Sequence, residues 1–160
     1  MKLLSAVIVL VIPFSAAFSQ APNYDEVPLK THEDLKAAEP IALKAASLLL
    51  STPIDRDNID RLKSMSFMIK WMEGTPDFQF SIDETATKIA KDDLFPVFMA
   101  CMVKFCIENP STSKDQKVVK LNAVKLLLAY VENPENKASM SKQLKKLAEA
   151  NRRGELEKAL

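Results

Sequence analysis

Glycine is nearly absent from this sequence, with two residues among 160, Gly74 and Gly154, eighty positions apart. Phosphate-cradling loops need several glycines close together so that backbone N–H groups can converge on the anion. P-loop and dinucleotide-binding chemistry are therefore excluded. Histidine is rarer still: His32 stands alone, and one imidazole cannot build a two-histidine zinc site. Neither sign of charge dominates, since 22 Lys and Arg face 21 Asp and Glu for a formal net charge of +1. A protein that grips nucleic acid through its phosphates needs a basic excess. No nucleic-acid partner, metal or cofactor is expected. What is present, 48% apolar and 27% charged residues, is the composition of a folded domain.

Long apolar runs are also scarce, and the clearest lies at the start. Lys2 precedes an uncharged run from Leu3 to Phe14, followed by the small residues Ser15, Ala16, Ala17, then Phe18 and Ser19. That order is a secretory signal peptide over residues 1–19, cleaved after Ser19 or, second, after Ala17. The run is too short for a comfortable membrane span, which needs about 20 apolar residues. The mature chain is expected to carry no membrane span and to be exported, periplasmic or secreted. An oxidising destination raises the matter of a disulfide between Cys101 and Cys106. On one continuous helix they stand roughly 7.5 Å apart along the axis and about 140° apart around it. That is out of bridging range. Two buried, inert thiols are expected instead.

Prolines and capping residues divide the rest. Residues 20–30 carry two prolines and no periodicity, an exposed, flexible lead-in to a single domain over 31–160. Thr31 with Asp34 forms a capping-box pattern, and Pro40 fits a first helical turn in a helix running to about Leu50. Asp55 or Asp57 caps a second helix, stopped by Gly74 and Pro76. Ser81 with Glu84, Asp92 with Asp93, Ser113 with Gln116, and Ser141 open the others, and Gly154 ends the last before a short helical tail. Strict alternation is confined to Asp77–Ser81, around Phe78 and Phe80. The class is all-α: a compact bundle or short stack of helical hairpins, about six helices. Residues 94–107 and the Leu126–Val131 stretch are apolar nearly all round, so two central helices wrapped by four amphipathic ones are expected.

No pattern that carries reaction chemistry stands out. Ser-x-x-Lys occurs at Ser111–Lys114 and Ser139–Lys142 without its companion elements, and serine at a helix start is ordinarily a cap. The carboxylates cluster at expected helix starts, where the macrodipole favours them. Asp55, Asp57 and Asp60 lack the turn glycine and closing glutamate of a calcium loop. The lysines and arginines near the C-terminus, Lys142 to Arg153, read as a solvated outer face. The chain is thus expected not to be an enzyme.

The second helix is the most informative. Ile59, Leu62, Met65, Met68, Ile69 and Met72 share one half of its wheel, the expected core face. Phe67 and Trp71, four residues apart, fall on the other half among Lys63, Ser64 and Lys70. With Phe78 and Phe80 just beyond, they are either covered by a second layer or form an exposed patch that would bind a partner protein. Alternatively Met65, Met68 and Met72 face Phe95, Phe98, Met99, Met102 and Phe105 across a cavity for an apolar small molecule or lipid. Methionine is flexible enough to line such a pocket, though it more often fills irregular gaps in a core.

The strings Ser51-Thr52-Pro53-Ile54-Asp55, Lys70-Trp71-Met72-Glu73-Gly74-Thr75-Pro76-Asp77 and Gly154-Glu155-Leu156-Glu157-Lys158 resemble those of an uncharacterised family of small exported all-helical bacterial proteins. The resemblance covers most of the mature chain. It implies export and an all-helical fold, and it transfers no catalytic residue. The expected function is that of an exported, non-enzymatic helical domain that binds a protein partner in the cell envelope.

Overall fold

The computed structural model describes residues 22–160, so the leader expected over residues 1–19 lies outside the described residues. Those residues form eight α-helices and no strand. They are α1 (His32–Ala37), α2 (Glu39–Ser51), α3 (Ile59–Gly74), α4 (Glu84–Ile89), α5 (Leu94–Glu108), α6 (Gln116–Glu132), α7 (Lys142–Arg152) and α8 (Leu156–Ala159). Short 3-10 turns add Tyr24–Glu26 and Pro134–Asn136. Eight helices stand where about six were expected because the first breaks at Ala38, which closes α1 and opens α2, and because the C-terminal tail forms α8.

Helix starts follow local chemistry. The Thr31 hydroxyl accepts from the Asp34 N–H at 3.1 Å while the Asp34 carboxylate accepts from the Thr31 N–H at 3.0 Å, a complete capping box. Ser141 caps α7 through the Leu144 N–H. Elsewhere the cap is a neighbour of the expected residue: Asn58 for α3, Asp83 for α4 and Asp115 for α6. Ser113 instead turns inward and donates to the Pro110 carbonyl. Asp77–Ser81 is not a strand but an irregular connection. Gly154 takes φ +72°, a left-handed helix end that a side chain would strain. Gly74 serves close packing: a Cβ there would sit 3.0 Å from Leu35 Cδ2.

The long helices lie in the order α3, α2, α5, α6, with α7 against α6 and α8 against α7. The apolar helix α5 is central, as expected. It packs between α2 and α6, and α2 presents Ala42, Ala45 and Ala46, all fully buried, at i, i+3 and i+4. Small side chains let two helix axes approach. Cys101 and Cys106 are buried, free thiols on α5.

The polar groups drawn into this core are all partnered; no buried side-chain nitrogen or oxygen among the described residues lacks a hydrogen bond. Arg61, only 6% exposed, donates from Nη1 to the carbonyls of Leu49 and Thr52, each at 2.8 Å, and to the Thr52 hydroxyl at 2.7 Å. These are the last carbonyls of α2, where the helix dipole favours a cation. The Tyr130 hydroxyl donates to the same Thr52 carbonyl at 2.8 Å, and the Asn136 amide donates to the Tyr130 carbonyl. This knot ties the end of α2 to α3 and α6.

Candidate functional site

On helix α3 the ring-bearing half of the wheel is the covered one, with Met68 from the other half buried beside it. The helix buries Arg61, Ser64, Phe67, Met68 and Trp71, residues recurring every three or four positions. Trp71 is fully buried and donates its indole N–H to the Leu35 carbonyl at 2.9 Å. Its ring lies 5.8 Å from Phe78 and 6.1 Å from Phe80, centroid to centroid. Phe67 stacks on Tyr24 at 4.7 Å and 22°, and the Tyr24 hydroxyl shares a 2.8 Å hydrogen bond with Ser64.

These contacts correct two expectations. Phe67, Trp71, Phe78 and Phe80 do come together, but Phe67, Trp71 and Phe78 are buried and Phe80 is half-buried. They form a covered cluster, not an open docking patch. The covering layer is partly the lead-in itself: Tyr24 is buried, so residues 22–30 are not simply an exposed, flexible approach. An aromatic ring removes more apolar area from water than an aliphatic side chain, which favours the ring-bearing face of α3 once Tyr24 and Leu35 are there to receive it.

The consequence appears on the outer flank of the helix. Ile59 is 59% exposed and Leu62 41% exposed, the two most exposed large apolar side chains of the helical elements. Met65, Ile69 and Met72 continue the stripe along α3, each half-buried. Beside Leu62 and Met65 a hollow of about 180 Å³ is walled by Leu49, Ile54 and Pro96 and edged by Asp55, Asp92 and Asp93. Arg56, on the same edge, is already committed: its Nε and Nη2 each donate to Asp93 at 2.9 Å. Asp55 and Asp92 have no cation within 4 Å among the described residues, nor does nearby Asp57. The stripe thus ends at an edge where acidic side chains outnumber basic ones.

The methionine and phenylalanine set proposed for an apolar ligand is divided. Met68, Phe98, Met99 and Met102 are buried side chains that fill the interior, while Met65, Met72, Phe95 and Phe105 lie half-buried at its margin. Ile59 and Leu62, expected on the core face, are exposed instead, while Ile69 packs against the core from its margin. The clue was the competition on one helix between six aliphatic or thioether side chains and two large rings.

Among the described residues, no three His, Cys, Asp or Glu side chains gather as a metal site. No helix there is long and apolar enough to cross a membrane. The two thiols are poor nucleophiles, since burial pushes Cys101 upward and Cys106 up to about 11. Comparison with family models, with curated proteins and with solved structures gives no match for this chain.

Proposed function

We propose that this chain is an exported, non-catalytic helical module that binds a partner protein through the outer flank of α3. The observation that carries the reading is the pair Ile59 and Leu62, exposed on successive turns and continuous with Met65, Ile69 and Met72. Scattered surface aliphatics need no explanation, but a contiguous stripe on a rigid helix fits an interaction site. Its dimensions suit the apolar face of an amphipathic helix, whose anchors recur at i, i+3 and i+7. Asp55, Asp57 and Asp92 at one end favour a partner helix with lysine or arginine beside its apolar face. The leader pattern around Lys2 and Leu3–Phe14 supports export.

The test is a photo-crosslinking residue placed at position 62 in the chain expressed in its own host, with a second at position 145 as the control. The expected result is one crosslinked protein from position 62 alone, with the joined segment mapping to a basic amphipathic helix. Leu62→Glu together with Ile59→Lys should abolish capture by a crosslinker moved to position 69, while the melting temperature stays within a few degrees. Crosslinking to a second copy of the chain, to nothing, or equally from position 145 overturns the reading.

A further inference from the structure

The opposite flank of α3 borders a different kind of space. A cavity of about 560 Å³ opens between the Tyr24–Glu26 turn and α3, within the roughly 300–1,000 Å³ typical of small-molecule sites. Lys63 and Lys70, two turns apart on α3, line one side with Ser66 between them, and Lys30 lines the other. None of the three lysines has a carboxylate within 4 Å among the described residues. Residues 1–21 contain no Asp or Glu, so that segment can supply no carboxylate side chain either. Three lysines therefore line the cavity with no direct ion pair among the described residues.

The cavity's base is rigid. Tyr24 and Phe67 line it as a stacked pair, and the Tyr24–Ser64 hydrogen bond holds that pair in place. Val27 and Leu29 add apolar surface beside the rings. Asp25 and Asp60 also line the cavity, so its charged side chains sum to only +1. Such a lining suits a singly or doubly charged molecule and disfavours a polyanion.

We propose that this cavity binds a small organic anion, a carboxylate or phosphate ester attached to a ring or short apolar body. The acid group lies between Lys63 and Lys70, whose flexible stems let two point charges close on it. The body rests on the Val27 and Leu29 side against the edge of the ring pair. Asp25 and Asp60 accept from any hydroxyl the ligand carries.

Phenyl phosphate, benzyl alcohol and benzylammonium probe the site, because they share a ring and differ in the charge of the head group. In amide NMR titrations of the purified chain, phenyl phosphate should bind saturably and at least tenfold more tightly than benzyl alcohol. Shifts should concentrate at Asn23, Ser66 and Phe67. Lys63→Gln with Lys70→Gln should weaken phenyl phosphate at least tenfold, the Arg pair should retain it, and Lys142→Gln with Lys146→Gln should leave it unchanged. Equal affinity for alcohol and phosphate, no saturable phosphate binding, shifts centred on α7, or indifference to the Lys63 and Lys70 changes each overturn the proposal.

Discussion

The indole N–H of Trp71 is held by the main-chain carbonyl of Leu35, 2.9 Å away and 36 residues earlier in the chain. That bond joins α1 to α3 and fixes the ring on which Phe78 and Phe80 pack. Trp71→Ala should cost about 3–5 kcal/mol, the range for removing a buried aromatic ring. Trp71→Phe keeps most of the apolar area but leaves the Leu35 carbonyl unpartnered, for about 1–3 kcal/mol. Denaturant titration followed by circular dichroism gives both values. A stability change under 1 kcal/mol for Trp71→Ala would place the ring outside the core.

Arg61 is a buried cation satisfied by the Leu49 and Thr52 carbonyls and the Thr52 hydroxyl, so its removal strands acceptors. Arg61→Met should lower stability by about 2–4 kcal/mol, because the Leu49 and Thr52 carbonyls lose a charged donor inside the fold. Tyr130→Phe, which takes only the second donor from Thr52, should cost about 1 kcal/mol. If the two losses couple in a double-mutant cycle, the knot acts as a unit.

Acid should loosen the fold through three carboxylates. The Thr31 and Lys30 backbone N–H groups hold Asp34 below the usual carboxylate range. The hydrogen bond from His32, with Lys36 close by, does the same for Asp77. For Asp83 the causes are the Ala86 N–H and then Lys120. A carboxyl whose folded value is depressed adds stability that is fully present above its unfolded value. That stability is lost as pH falls through the folded value. The loss should therefore set in below about pH 4, near the unfolded carboxylate value. Asp83→Asn should flatten that acid limb in thermal melts taken from pH 6 to pH 2, while leaving the neutral limb parallel to wild type.

The two thiols should resist modification. Cys101 and Cys106 are both buried, and their raised values leave little thiolate at neutral pH. A thiol-reactive disulfide reagent should label neither in the folded protein and both in denaturant. Rapid labelling without denaturant would mean that α5 opens.

Much of the helical framework was legible because its punctuation is chemical. Thr31 with Asp34, Pro40, Ser141 and Gly154 act locally, and a local rule needs no knowledge of the rest of the chain. The facing of α3 was not legible, because it depends on what arrives from elsewhere. Phe67 turns inward because Tyr24 lies across it, and Trp71 because Leu35 offers a carbonyl. Arg61 can be buried because the end of α2 presents carbonyls to it. The role of α2 was hidden for a related reason: Ala42, Ala45 and Ala46 carry little hydrophobic signal, yet their smallness is what seats α5. The outer stripe of Ile59 and Leu62 became visible only once α3 had a direction.

Tyr24 gives the beginning of the domain a boundary that is energetic rather than formal. Trimming that stops ahead of Asn23 leaves the ring pair and the Ser64 hydrogen bond intact. A cut only two or three residues further on strips one ring from the stack, wets Phe67 and removes a wall of the lysine-lined cavity. Chains that begin on either side of Tyr24 would therefore differ in fold stability rather than merely in length.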